Sequence, residues 1–156
     1  MIKTDDFTKW LNQLLAETFG VSEAPSAFFL DTARSGLLGA IDTLNAHQAS
    51  TARQPEQATI ASHCAHVLFL LRLFEAQEQG QPSEPDWEAS WKIRVVDEAA
   101  WANLRANLRS AYTTVMAQVQ SRTAWDEAPL AAALMLLTHC AYHVGEIRQR
   151  LTWITP

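Results

Sequence analysis

Thr138-His139-Cys140-Ala141-Tyr142-His143-Val144-Gly145-Glu146-Ile147-Arg148-Gln149 carries two of the chain's five histidines, four residues apart. The surrounding apolar spacing predicts a helix from about Pro129 to Trp153, with proline near its first turn and an apolar run from Leu130 to Leu137. Residues i and i+4 share a helix face, about 40° apart and one turn up. Two imidazoles so placed can bind one metal ion. With His139 as zero, His143 falls near about +40°, Glu146 near about −20° and Arg150 near about +20°. These four make a polar stripe that borders the apolar arc of the helix, where a pocket between helices would lie.

A third ligand must come from another helix. Residues from about Glu56 to Glu78 read as one, and its strongly apolar centre holds His63 and His66. Those two are i, i+3 and share a face within about 60°. Buried histidines need polar partners. Three neutral imidazoles with an open position are a common catalytic metal arrangement. His66 is the favoured third ligand beside His139 and His143, with His63 in reserve. The glutamate that follows the first histidine of zinc proteases is absent. Imidazoles suit zinc, nickel, iron and copper alike; zinc or nickel is the leading expectation.

The remaining chain also reads as helical. Residues 5–19 predict a short amphipathic helix, stopped by Gly20 and packed on the outside of the main body. After a linker to Pro25, Ser26 is placed to cap a second helix running to about His47, through Phe28, Phe29, Leu30, Ala33, Leu37, Leu38, Ile41 and Leu44. Gly36 and Gly39 weaken it by roughly 1 kcal/mol each and suit close packing or an approaching ligand. His47 sits at its end, where the dipole favours a cation. Gly80, Pro82 and Pro85 mark a loop. A further helix runs from about Asp97, its N-cap, to Arg122, and a connection carrying Trp125 leads to the last helix. Trp87, Trp91 and Trp101 are read as core and interface anchors in preference to a substrate wall.

The predicted fold is therefore all-α: four long helices as a four-helix bundle with a longer crossover, plus an extra short N-terminal helix. A single domain spans residues 1–156, divided into an N-terminal helix and linker (1–25) and the bundle (26–153). A 48% apolar composition supplies its core. The net charge of −5 argues against a nucleic-acid partner. No apolar run reaches the roughly 18 residues that would suggest a membrane span, and the polar start, Met1 to Asp6, does not suit a signal peptide. A cytoplasmic protein is expected. Its two cysteines, Cys64 and Cys140, are read as reduced, buried thiols, each turned about 100° from the adjacent His63 or His139.

The segment His139-Cys140-Ala141-Tyr142-His143-Val144-Gly145-Glu146-Ile147-Arg148-Gln149, together with Thr59-Ile60-Ala61-Ser62-His63-Cys64-Ala65-His66-Val67, resembles the DinB/YfiT-like family over most of residues 26–153. The resemblance implies a bundle with an up-down-down-up course, a divalent metal held by three histidines, and a homodimer. In its register His66 takes the ligand position. Characterised branches of the family transfer or hydrolyse with a low-molecular-weight thiol, which implies a thiol-dependent S-transferase or hydrolase acting on a small electrophilic substrate. Glu146 stands where glutamine is frequent, and either adds a carboxylate near the metal or pairs with Arg150. Glu146 and Tyr142 are the candidate acid/base residues. The alternative is a non-catalytic metal- or ligand-binding stress-response protein of the same fold.

Overall fold

Thr59 and Ser62 begin the helix that positions half of the site. The Thr59 hydroxyl accepts the Ser62 N–H at 3.1 Å and the Ser62 hydroxyl accepts the Thr59 N–H at 3.2 Å. This reciprocal cap satisfies two N–H groups that a helix start leaves unpaired. The computed structural model describes residues 4–22, 27–32, 35–81 and 84–154, and among these the chain is helical with no strands. Helices α1 (Thr4–Phe19), α2 (Leu37–Ile41), α3 (Ala46–Ala49), α4 (Ile60–Glu78), α5 (Glu98–Gln120) and α6 (Glu127–Ile154) follow in order, with a 3₁₀ turn at Ala89–Trp91 between α4 and α5.

Helix α4 is the centre of the packing. It is buried almost all round from Ile60 to Leu68, and α5 and α6 both lie against it. A helix apolar on every side belongs inside. Asp97 caps α5 as expected, accepting the Ala100 N–H at 2.7 Å. Trp101 on the first turn of α5 is fully buried, and its indole N–H donates to the Leu44 carbonyl at 2.7 Å. Helix α6 buries Ala133, Leu136, Cys140, His143, Val144 and Ile147 along one face. It starts two residues before the predicted Pro129. Among the described residues it is also the one helix long and apolar enough to cross a membrane by length and composition. It holds no uninterrupted apolar run of that length; its average passes because its polar residues are widely spread.

Two expectations are corrected. Residues 5–19 do not pack on the outside: α1 lies against α5 and α6, and its Leu11, Leu15 and Phe19 are core residues. The long second helix from Ser26 to His47 does not form. Ser26, Pro25 and Ala33 lie outside the described residues, as does Pro82. The described part contains bends at 28–32 and then only the short α2 and α3. The cause is a buried carboxylate. Glu17 of α1 accepts three successive backbone N–H groups, from Phe28 at 2.7 Å, Phe29 at 2.8 Å and Leu30 at 2.7 Å. A carboxylate from another element has captured these donors, and Phe28 and Phe29 point outward, half exposed.

Gly36 completes this crossing. A Cβ there would lie 2.2 Å from the Gly20 nitrogen and 2.4 Å from the Glu17 carbonyl, so the chain passes directly against the end of α1. Of the two uses foreseen for this glycine, close packing is the one found. Gly20 ends α1 at φ 74°, with the Val21 N–H reaching back to the Ala16 carbonyl at 2.9 Å.

Candidate metal centre

Helices α4 and α6 bring four histidines together. His63, His66 and His143 are buried, and His139 is partly exposed. The i, i+3 pair on α4 faces the i, i+4 pair on α6, so the two helical repeats interlock. One ring nitrogen from each of His66, His139 and His143 lies within 4.8 Å of the others, a group that can hold a metal ion.

The hydrogen bonds decide which nitrogens are free. Ser90, in the 3₁₀ turn, donates its hydroxyl to the Trp87 carbonyl at 2.6 Å. Its oxygen must then accept from His66 Nδ1, 2.8 Å away. His66 therefore carries its proton on Nδ1 and presents a lone pair at Nε2. That Nε2 lies 3.3 Å from His139 Nε2. Two nitrogens each about 2.0–2.1 Å from one tetrahedral ion would be roughly 3.3–3.4 Å apart. His143 Nε2 is buried without a hydrogen-bond partner, and an unpaired buried polar atom is costly unless something else meets it. The donor chemistry and the unpaired nitrogen both fit a divalent ion.

His63, the reserve ligand, stands outside that group. Its Nδ1 lies 2.9 Å from His143 Nδ1, which leaves Nε2 as the unengaged nitrogen of His143.

Burial keeps the cluster uncharged. It pushes His143 down to about 3, reinforced by His63, His66, His139 and Arg150. Burial also pushes His66 down to about 4, helped by His139. His63 falls to about 4 through burial and then the charge of Arg150, with Glu146 opposing. His139 is lowered by burial alone. Neutral imidazole is the form that ligates a metal.

Glu146 does not join the three-nitrogen group. Its carboxylate accepts from Arg150 at 2.6 Å, and Arg150 is itself held to the Ala58 carbonyl at 2.9 Å. That hydrogen bond is the main reason the Glu146 carboxyl stays below its ordinary range. Of the two roles open to Glu146 in the sequence, pairing with Arg150 is the one observed. Tyr142 is 60% exposed, with its ring edge-on to His143 at 5.0 Å.

Cys64 and Cys140 are free, fully buried and outside the group. Burial raises both thiols, Cys140 to about 12, so they are neutral packing residues. His47 is exposed at the last turn of α3.

The tryptophans divide. Trp101 is the core anchor expected, but Trp91 stacks on His66 at 4.2 Å and 19°, and Trp87 lies 6.2 Å from the same ring. Trp87 and Trp91 are not core residues: Trp91, in the 3₁₀ turn, and Trp87, just before it, lie against the histidines. Ser90 was missed altogether. Its one signal is its place between two tryptophans, which cannot reveal a hydrogen bond to a residue 24 positions away. Next to His139, a shallow apolar cavity of about 90 Å³ is lined by Leu73, Phe74, Trp87, Met135 and Leu136.

Fold and site together define an all-helical protein with a three-histidine group able to hold a metal ion. A scan against models of protein families, a search of curated proteins and a search of solved structures find no match to this chain.

Proposed function

We propose that the chain is a divalent-metal-binding protein of DinB/YfiT-like type, a cytoplasmic homodimer that performs thiol-dependent S-transfer or hydrolysis on a small electrophile. The observation that carries this reading is the convergence of His66, His139 and His143 from α4 and α6. The long helices α1, α4, α5 and α6 are the four members of the proposed bundle, with an up-down-down-up course.

His66, His139 and His143 would hold the metal; an all-imidazole donor set suits zinc, nickel, iron and copper alike, and zinc or nickel is the proposed ion. When bound, a divalent ion lowers the pKa of a thiol or water and so provides a nucleophile near neutral pH. Ser90 fixes the tautomer of His66, and Trp91 shields its ring from water. The apolar cavity beside His139 receives the apolar part of the substrate. Arg150 holds Glu146 as an anion, and Tyr142, which also interacts with that carboxylate, is the proposed acid/base partner beside it.

One observation favours a second reading, metal or ligand binding without turnover. Glu146 is engaged by Arg150, so neither the three-nitrogen group nor its carboxylate neighbour offers an uncommitted base.

Elemental analysis of the purified and metal-reconstituted protein tests the proposal. We expect one divalent ion per chain in the wild type and loss of it in His66→Ala and His143→Ala. A wild type that takes up no stoichiometric metal refutes the metal reading. Metal uptake with no turnover across several thiols and a generic electrophile favours the second.

A further inference from the structure

The contact between His63 and His143 has only two possible proton arrangements. Two Nδ1 atoms 2.9 Å apart need one N–H and one lone pair. A neutral imidazole carries a single N–H. If His63 donates, the proton of His143 sits on Nε2, and that nitrogen cannot ligate a metal. If His143 donates, its Nε2 presents a lone pair and the proton of His63 sits on Nε2.

Without a metal the two arrangements balance in their count of hydrogen bonds. Nε2 of His63 and Nε2 of His143 are both buried and both without a partner, so either arrangement leaves one N–H and one lone pair unmet. A cation at the three-histidine group removes this balance. It can satisfy His143 Nε2 only when His143 is the donor.

We propose that His63 is a positioning residue that accepts the Nδ1 proton of His143 and thereby holds His143 as an Nε2 ligand. The inference rests on the metal reading above. Metal ligands of this kind usually give their second N–H to a carboxylate, a carbonyl or water, and losing that acceptor typically weakens metal binding about 10–100-fold. Here the acceptor is another imidazole. Trp91, edge-on to His63 at 5.4 Å, packs against it. Uptake of the metal then switches both rings of a buried pair to their other tautomer: the proton of His143 passes from Nε2 to Nδ1, and that of His63 from Nδ1 to Nε2.

Two measurements test this. Nitrogen-15 NMR of the imidazoles reads the tautomer directly in the wild type, without any substitution. With zinc bound, the His143 signals should be those of an Nδ1-protonated ring. Zinc affinity is then measured by chelator competition for His63→Leu and His63→Asn. Leucine fills space without an acceptor and should weaken binding about 10–100-fold. The asparagine carbonyl stands close to where Nδ1 was and should restore most of the loss, which a purely structural role would not predict. Zinc-bound His143 protonated at Nε2, or His63→Leu binding zinc as tightly as the wild type, overturns the proposal alone. A wild type that takes up no zinc overturns the metal reading and this inference with it.

Discussion

Glu17 is the residue that departs most from what its type suggests. It stands on an otherwise amphipathic helix, yet it is 1% exposed. Burial alone would raise its carboxyl, but the three N–H groups of Phe28, Phe29 and Leu30 outweigh that and lower it. A depressed carboxylate contributes stability that is present above its unfolded value and is lost as pH falls through the folded one. Glu17→Gln keeps the shape but offers one acceptor oxygen and no charge. Hydrogen bonds to charged groups contribute about 1.5–3 kcal/mol each; we expect a loss of about 2–4 kcal/mol in urea unfolding. Limited proteolysis should then open the chain near Phe28 and Phe29. Unchanged stability would show that the carboxylate is not what shapes this loop. The sequence could not reveal this, because a helical spacing of apolar residues carries no trace of a distant acceptor for the backbone.

At the scale of elements, α4 and α6 were legible and their contact was half legible. The i, i+4 and i, i+3 spacings placed each histidine pair on one face, and a three-histidine group with His66 is what the helices form. Which ring nitrogen meets which depended on side-chain rotation and on the 3₁₀ turn, neither of which leaves a periodic signal. The packing of four neutral rings between α4 and α6 makes the metal-free protein sensitive to acid. Folded values of about 4, 4 and 3 for His63, His66 and His143 lie below the unfolded value of about 6.5. The unfolded chain therefore takes up protons first as pH falls. The stability from these rings is fully present above about pH 6.5 and declines toward pH 3–4, by up to about 1.4 kcal/mol per pH unit for each ring. The thermal midpoint of the metal-free protein should fall between pH 7 and pH 5. In His143→Leu the fall should be shallower. A wild-type midpoint constant across that range would contradict the exclusion of protons from the cluster.

For the whole molecule, helical class and the positions of α1, α4, α5 and α6 could be read from periodicity and caps. The membership of α1 could not. Its spacing showed an apolar face but not what covers that face, and its position ahead of a linker suggested an appendage. In the structure Leu15 is 1% exposed among residues of the common core. Leu15→Ala should therefore cost about 2–5 kcal/mol, as for other buried leucines, and helical and tryptophan signals should lose stability together in one urea transition. An early, separate transition, or a cost near zero, would restore α1 to the role of an appendage. Gly36 and Glu17 explain why the segment after α1 is spent on closing the molecule over the end of that helix. A segment so used cannot also supply the long second helix that its residues alone describe.

The stacked pair of Trp91 and His66 has an optical consequence. An indole 4.2 Å from an imidazole is close enough for the ring's charge to alter its excited state. Protonating that ring, or drawing its electrons toward a cation, changes how strongly the indole emits. The emission of Trp91 thus belongs electronically to the histidine group, whereas Trp101, tied to the Leu44 carbonyl, reports on the core. The protein carries its own chromophore for occupancy of the site, readable without a label as the difference between wild-type and Trp91→Phe emission.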